Sequence, residues 1–169
     1  MARSGGQKKI LDTWAAIPRK LRRAVAGLSA RQGRWRGGSE GWSIREYGHH
    51  LVEANLVAAT IVIASAGKPG GTYDWSWLFP DGRWMKRLGY DHLPLDPALD
   101  LFESLARHVA ALARGTPALF RSSVRLRDRP AGRTRRSSIE RVLSEECDHA
   151  RHHLSDIAAT KKAHARPRA

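Results

Sequence analysis

The chain has 169 residues, one cysteine and a formal net charge of +14. This length predicts one domain with a single core, and a lone cysteine excludes an internal disulfide and a cysteine-rich zinc module. The first 20 residues lack the apolar segment of a secretory signal. The strongest apolar run, residues 57–66, is half the ~20 residues that cross a bilayer. We therefore expect a soluble, cytoplasmic protein.

The positive charge is concentrated at the two ends of the chain. Residues 1–36 carry ten Lys and Arg against one acidic residue, residues 121–169 carry 13 against six, and residues 37–120 carry seven against nine. Such flanks suit nucleic acid or an anionic lipid surface. We favour solvated arginine-rich faces, because no aromatic residue interrupts the cluster at 121–136.

Four helices are predicted in chain order, and no segment shows the alternation of a strand. The first covers residues 17–31, with Pro18 in its opening turn. Residues 1–16 are left as a basic N-terminal extension. The predicted buried face of this helix is Ile17, Leu21, Val25 and Leu28.

The second helix has the stronger start signal. In WSIRE, residues 42–46, Ser43 and Glu46 have the spacing of a capping box, and Trp42 is placed to pack on Tyr47. Apolar residues then repeat at helical spacing as far as Ala66. The sequence KPGG ends the helix.

A long, aromatic-rich connection at residues 69–95 separates the second helix from the third. Asp96 and Pro97 then begin the third helix as N-cap and first-turn proline, and Gly115 ends it. The aromatic residues of the connection predict a packed lid rather than disorder: Tyr73, Trp75, Trp77, Phe79, Trp84 and Tyr90. The predicted inward face of the third helix is Leu101, Leu105, Val109 and Leu112.

The polar stretch at residues 121–136 is expected to be a basic loop. Ser137 and Glu140 have the spacing of a second capping box, which begins a last helix over residues 139–159. Residues 160–169 are expected to be a frayed basic tail. The sequence thus predicts an all-α protein with a helical domain over residues 17–159.

Two histidines of the last helix are placed to share a ligand. His149 and His153 lie one turn apart, so their rings project only about 40° from each other. His50, on the apolar face of the second helix, is placed to supply a third nitrogen. Such a set suits a metal ion, although buried histidines are often satisfied by hydrogen bonds alone. His49 and His152 point about 100° away from their adjacent partners.

The segments GWSIREYGHHL, residues 41–51, and DHARHHLSDI, residues 148–157, together resemble the paired signatures of the DinB/YfiT-like metalloprotein superfamily. The similarity extends from residue 42 to residue 158, with the motifs in the family's order. It implies a four-helix bundle of unusual connectivity and a divalent ion, commonly zinc or nickel, held by three histidines. Matched residue by residue, these are His50, His149 and His153.

Three imidazoles leave an open coordination position, which is typical of catalytic sites. An ion of this kind activates water or a thiol, and the resemblance implies S-transferases and isomerases that use a low-molecular-weight thiol. We therefore expect a metal-dependent enzyme of this class acting on a small-molecule substrate. Asp156, three residues after His153, is expected to orient an imidazole or a metal-bound water.

The aromatic connection is the predicted substrate site. Trp77, Trp84 and Tyr90 are expected to shape the pocket, and Arg83 or Lys86 to meet a carboxylate of the thiol, although aromatic residues also serve as ordinary core. Two other functions stay open. One is a basic helical module that binds nucleic acid around a structural metal, and the other is a metal or small-ligand carrier without turnover. The sequence does not decide whether the chain forms a homodimer.

Overall fold

The computed structural model describes residues 2–78 and 80–165. Its helices are α1 (Ala2–Val25), α2 (Ala30–Gly33), α3 (Ile44–Gly67), α4 (Gly82–Leu88), α5 (Asp96–Gly115) and α6 (Ile139–Ala165). The four long ones form a bundle in which α1 and α3 each pack against both α5 and α6. The predicted four-helix bundle is therefore confirmed, with α1 and α3 at opposite corners.

The first helix begins well before its predicted start. Pro18 lies in the interior of α1 rather than in the opening turn. Leu11 and Trp14 are buried and continue the apolar face of Ile17 and Leu21 toward the N-terminus. Burial of these side chains offsets the ~3 kcal/mol that an interior proline costs a helix. The start predicted at Ile17 is thus wrong, and the chain before it is bundle rather than extension.

The end of the first helix also differs from the prediction. α1 stops at Val25 instead of residue 31, and Gly27 then takes a left-handed φ of 70°, which glycine adopts without the steric cost of a side chain. Ser29 restarts the helix as α2, where it forms a capping box with Gln32. This break turns the chain back toward the start of α3.

The predicted start of α3 is confirmed in detail. The Ser43 hydroxyl accepts a hydrogen bond from the Glu46 N–H, and the Glu46 carboxylate accepts one from the Ser43 N–H. The ring centroids of Trp42 and Tyr47 lie 5.3 Å apart, as a hydrophobic staple requires. Arg36 closes the carboxylate from the other side, with Nη1 2.8 Å from Glu46 Oε2. The entry angle of α3 is therefore fixed by both polar and apolar contacts.

α3 is long and apolar enough to cross a membrane by length and composition alone. More than half of its apolar window is buried inside the protein, and it also buries polar side chains, including His49, His50 and Asn55. This is the pattern of a central core helix in a soluble bundle.

The expectation of no strands is wrong, because a three-stranded sheet covers one side of the bundle. β1 (Thr72–Asp74) pairs in parallel with β2 (Ser123–Arg127), and β2 pairs antiparallel with β3 (Arg135–Ser138). The predicted basic loop is therefore largely a hairpin, and the aromatic connection contains β1 and α4. Phe79, one of the six aromatic residues predicted to form the lid, lies outside the described residues.

The N-cap residues of α5 and α6 each differ by one position from the predicted N-caps. Leu95 rather than Asp96 precedes α5, and no side chain caps it. At α6 the Ser138 hydroxyl, not that of Ser137, accepts from the Arg141 N–H at 3.2 Å. On α5, Leu101 is 50% exposed, so its predicted inward position is also wrong. The observed buried face of α5 is Leu99, Phe102, Ala106, Val109, Ala110 and Ala113.

α6 is longer than predicted and continues to Ala165. Thr160, which the sequence placed in a frayed tail, is buried and donates to the Asp156 carbonyl. His164 stacks on Trp35 with ring centroids 4.9 Å apart. The His164–Trp35 stack ties the end of α6 to the segment before α3. Residues 166–169 lie outside the described part of the chain.

Candidate metal centre

The start of α3 positions His50. Tyr47 and His50 are one turn apart on the buried face of the helix, and the Trp42 ring lies against both, with its centroid 5.0 Å from that of His50. Trp42 also lies 5.8 Å from the ring of His153. The residue that staples the helix start therefore also holds two of the three histidines.

The structure brings His50, His149 and His153 together between α3 and α6. Their ring centroids are separated by 5.1, 5.1 and 4.6 Å, and one nitrogen from each lies within 4.8 Å of the other two. Nε2 of His50 is 3.1 Å from Nε2 of His149. Three imidazole nitrogens converging on one point are a donor set that suits a divalent metal.

Two carboxylates on α6 hold the rings of His149 and His153 through their Nδ1 atoms. Glu146 accepts from Nδ1 of His149 at 3.2 Å, and Asp156 accepts from Nδ1 of His153 at 3.1 Å. A carboxylate on Nδ1 fixes the orientation and tautomer of an imidazole and leaves Nε2 free for a ligand. The prediction for Asp156 as an orienting group therefore matches its position, and Glu146 is a second residue placed in the same way.

Each carboxylate is itself held by a residue from outside α6. Asn55 of α3 donates from Nδ2 to Glu146 at 2.7 Å. Ser39 donates from its backbone N–H to Oδ1 of Asp156 and from its hydroxyl to Oδ2, both at 2.9 Å. Because of these bonds, neither carboxylate relies on solvent for its orientation.

The electrostatics of the cluster favour neutral imidazoles at two positions. Burial and the neighbouring histidines lower the pKa of His50 to about 3. Burial and His149 lower the pKa of His153 to about 4, against the opposing effect of Asp156. Burial also acts to lower the pKa of His149, but the hydrogen bond and charge of Glu146 outweigh it and raise the pKa. Neutral imidazole is the form that binds metals.

A cavity of about 620 Å³ opens from the histidine cluster. Its wall is mostly apolar and comes from α3, the aromatic connection, β2 and α6. The lining is Trp42, Ala54, Val57, Ala58, Ile61, Trp75, Leu78, Pro80, Leu126 and Val142, together with the histidines, Glu146 and a charged border. This volume is in the range of small-molecule sites, about 300–1,000 Å³.

The five residues predicted to bind substrate do not line this cavity. Trp84 Nε1 and the Tyr90 hydroxyl both donate to Glu53, which draws them onto another face of α3. The remaining three are solvent-exposed, Trp77 at 59% and Arg83 and Lys86 on the outside of α4. The connection contributes to the cavity through Trp75, Leu78 and Pro80, and a substrate role for the five predicted residues stays a prediction.

Of the other polar residues near the motifs, His49 and Cys147 point away from the cluster, whereas His152 lines the cavity and forms a second candidate metal-holding group with His153 and Asp156. His49 stacks on Tyr90 with ring centroids 4.4 Å apart, and His152 is exposed, with Nε2 3.1 Å from the Ser39 hydroxyl. The Cys147 thiol is directed at the Ile10 carbonyl of α1, and burial raises its pKa to about 12. Neither His49 nor Cys147 is therefore part of the cluster.

Sequence reasoning missed the roles of Glu146, Asn55 and Ser39. The first had a usable signal, because Glu146 stands three residues before His149 as Asp156 stands three residues after His153. An acidic residue one turn from a candidate ligand lies on the same helix face. Asn55 and Ser39 carried no such signal, since their contacts are made with α6 across the fold.

Comparisons with known proteins agree with this geometry. The DinB superfamily model matches residues 13–157. The chain is 29% identical over 147 residues to "Putative metal-dependent hydrolase GK0616" of Geobacillus kaustophilus, covering 86% of this chain and 79% of the relative. It is 28% identical over 149 residues to "Putative metal-dependent hydrolase" of Geobacillus thermodenitrificans, with the same two coverages.

The fold matches a solved structure as well. That structure is described as "YfiT from Bacillus subtilis is a probable metal-dependent hydrolase with an unusual four-helix bundle topology". It superposes with a TM-score of 0.81 at 18% sequence identity, covering 95% of this chain and 89% of that one. At 18% identity this match shows the fold alone. The family is shown by the DinB superfamily model, which matches most of the chain. The chain belongs to the DinB superfamily.

Proposed function

We propose that this chain is a metal-dependent hydrolase in which His50, His149 and His153 hold a divalent cation, zinc or nickel. The observation that carries the proposal is the convergence of three imidazoles at one end of a cavity of small-molecule size. The names of the two Geobacillus relatives support the same class of reaction.

The ring nitrogens of His50, His149 and His153 form a donor set that suits a cation. Carboxylates on Nδ1 of His149 and His153 favour a proton there, which leaves lone pairs on both Nε2 atoms. Nδ1 of His50 is buried without a hydrogen-bond partner among the described residues, and its Nε2 lies 3.1 Å from Nε2 of His149. His50, His149 and His153 would together hold a divalent cation, which would be bound by neutral imidazole nitrogens.

A divalent cation in such a site acts as a Lewis acid and generates a nucleophile from water at neutral pH. The protein's own contribution is orientation and exclusion of solvent. Glu146 and Asp156 retain the Nδ1 protons of their histidines, and the Trp42 ring packs against His50 and His153. The apolar wall limits competing water around a bound substrate.

The test is to purify the chain, measure its metal content, and assay a panel of uncharged esters and amides. We expect about one equivalent of a divalent metal, hydrolysis that is lost with chelator and restored by zinc or nickel, and loss of both properties in His50→Ala. Hydrolysis that is indifferent to chelator and to His50→Ala would overturn the proposal.

Thiol transfer, the reaction expected from the sequence resemblance, is separated by the same assay. The names of the relatives do not support it. Product formation that requires glutathione, mycothiol or bacillithiol, and that incorporates the thiol, would reject hydrolysis. Product formation that is unchanged when thiol is left out would support hydrolysis.

A further inference from the structure

We propose that the cavity binds the apolar acyl chain of an uncharged ester or amide, with the acyl carbonyl at the histidine cluster. This deepens the proposed function and rests on it. In the reaction, the oxygen of water forms a bond to the acyl carbon and the bond to the leaving oxygen or nitrogen breaks. One proton of the water ends on the leaving group, so the products are a carboxylic acid and an alcohol or amine.

The first observation is a continuous apolar strip on α3 that starts at the cluster. Ala54, Ala58 and Ile61 follow His50 at helical spacing and line the same cavity. At 1.5 Å per residue, His50 and Ile61 are separated by about 16 Å along the helix axis. Because two of the three side chains are alanines, this face of α3 leaves room for a chain to lie along it.

The second observation is that the facing walls are also apolar. Trp75 and Leu78 come from the aromatic connection, Leu126 from β2 and Val142 from α6. Leu126 and Leu78 are 2% and 5% exposed, so they are built into the core rather than loosely placed. An apolar chain in such a space gains affinity from every methylene that leaves water.

The third observation concerns the charged border of the cavity. Arg135 lies 3.5 Å from Asp128 and 3.4 Å from Glu145, and Glu40 and Arg129 complete the border. Two arginines thus stand beside three carboxylates. A border of mixed sign does not strongly select a charged chain, and the mostly apolar wall favours an uncharged, apolar occupant.

The experiment titrates primary alcohols from butanol to octanol into metal-stripped, ¹⁵N-labelled protein and follows the tryptophan indole signals. Trp42 and Trp75 line the cavity, whereas Trp14 and Trp77 do not. We expect shifts confined to the first pair and an affinity that rises about fourfold per added methylene until the cavity is filled. An affinity that is flat along the series, or shifts centred on Trp14 or Trp77, would overturn the proposal.

A pair of variants tests the position of the chain. Ala58→Leu adds volume inside the cavity, and Leu56→Phe adds volume at an exposed position of the same helix. The first should lower the octanol-to-butanol affinity ratio at least tenfold, and the second should leave it unchanged. If both variants bind the series like the wild type, the chain does not lie along α3. If Ala58→Leu does not fold, the indole shifts of the wild type still decide.

The alcohol titration needs neither metal nor turnover, so it fails independently of the proposed function. Chain-length-dependent binding without hydrolysis would remove the reaction and keep the apolar site. Metal-dependent hydrolysis with no chain-length dependence would keep the reaction and remove the apolar site.

Discussion

The two carboxylates that hold His149 and His153, the proposed metal ligands of α6, differ in what surrounds them. Glu146 is held from within the bundle by Asn55, and burial raises its pKa despite the hydrogen bond with His149. Asp156 is held by Ser39, and hydrogen bonds from Ser39 and His153 outweigh burial and lower its pKa. Glu146 is thus held by a hydrogen bond from the neighbouring helix α3, and Asp156 by hydrogen bonds from the segment before α3.

Glu146 and Asp156 thus orient their histidines under different electrostatic conditions. Burial disfavours the charged form of Glu146. We therefore expect that replacing this carboxylate by a neutral amide changes the free energy of unfolding little. The Asp156 carboxylate stabilises the fold as an anion, because three donors converge on it. The histidines and the two carboxylates can therefore be substituted one at a time. The substitutions should differ in their effects on cation affinity and on the stability of the metal-free protein.

The largest effect is expected from removing the proposed ligand that Asp156 supports. His153→Ala should lower cation affinity by more than the 10- to 100-fold that loss of an outer hydrogen-bond partner costs. Arg151→Ala is the control, because Arg151 is an exposed residue of the same helix. Isothermal titration with zinc measures both. Equal losses in the two variants would show that His153 is not a ligand.

Much of the bundle and of the histidine cluster could be predicted because their signals are local. A capping box at Ser43 and Glu46 and the one-turn spacing of His149 and His153 depend on residues three or four apart. Helix geometry converts such spacings directly into shared faces. The pairing of His50 with the last helix was not local, and it came from the resemblance to a known family.

The sheet could not be predicted in the same way. β1 has three residues and pairs with β2 about fifty residues later, so no periodic pattern develops within it. β2 did carry a signal, since Val124 and Leu126 alternate with exposed or half-exposed neighbours. Arginines around them made the segment look like a loop, although long polar side chains commonly cover the outer face of a strand.

The positions of the predicted substrate residues relative to the cavity could not be predicted for a related reason. Aromatic composition showed that residues 69–95 pack, but not which way each ring faces. Glu53 decides this for Trp84 and Tyr90 by accepting hydrogen bonds from both. These hydrogen bonds are tertiary contacts of polar aromatic atoms, and no local pattern in the sequence predicts them.

The next largest effect compares the two carboxylates directly. Asp156→Asn and Glu146→Gln should each lower zinc affinity about 10- to 100-fold. Only Asp156→Asn should destabilise the metal-free protein, by about 1.5–3 kcal/mol, because it weakens hydrogen bonds to a charged group. Chemical denaturation of both apoproteins provides the measurement. Equal destabilisation by the two substitutions would contradict the distinction between them.

A smaller effect is expected where the segment before α3 approaches Asp156. Gly38 has a φ of 74°, and an added Cβ would meet Tyr47 Oη at 2.5 Å and Asp156 Cβ at 2.7 Å. Gly41 has a similar φ of 67° but open space around it. Gly41→Ala should therefore cost only the strain of a left-handed residue, about 1–2 kcal/mol. Gly38→Ala should cost more and should also lower zinc affinity.

The two alanine variants separate backbone strain from crowding of the carboxylate. Thermal or chemical unfolding gives the stability of each, and zinc titration gives the affinity. Unchanged zinc affinity in Gly38→Ala, at a stability below that of Gly41→Ala, would show that the cluster does not depend on the position of Asp156.

The smallest expected effect is that of Ser39→Ala, which removes the hydroxyl bond to Asp156 but keeps the backbone N–H bond. We expect a loss of about 0.5–1.5 kcal/mol in stability and a smaller loss of zinc affinity than in Asp156→Asn. The hydroxyl also lies 3.1 Å from Nε2 of His152, so the variant should be repeated in a His152→Ala background. If the hydroxyl acts through Asp156, Ser39→Ala should still lower zinc affinity in the His152→Ala background. Loss of the Ser39→Ala effect in that background would mean that the hydroxyl acts through His152 instead.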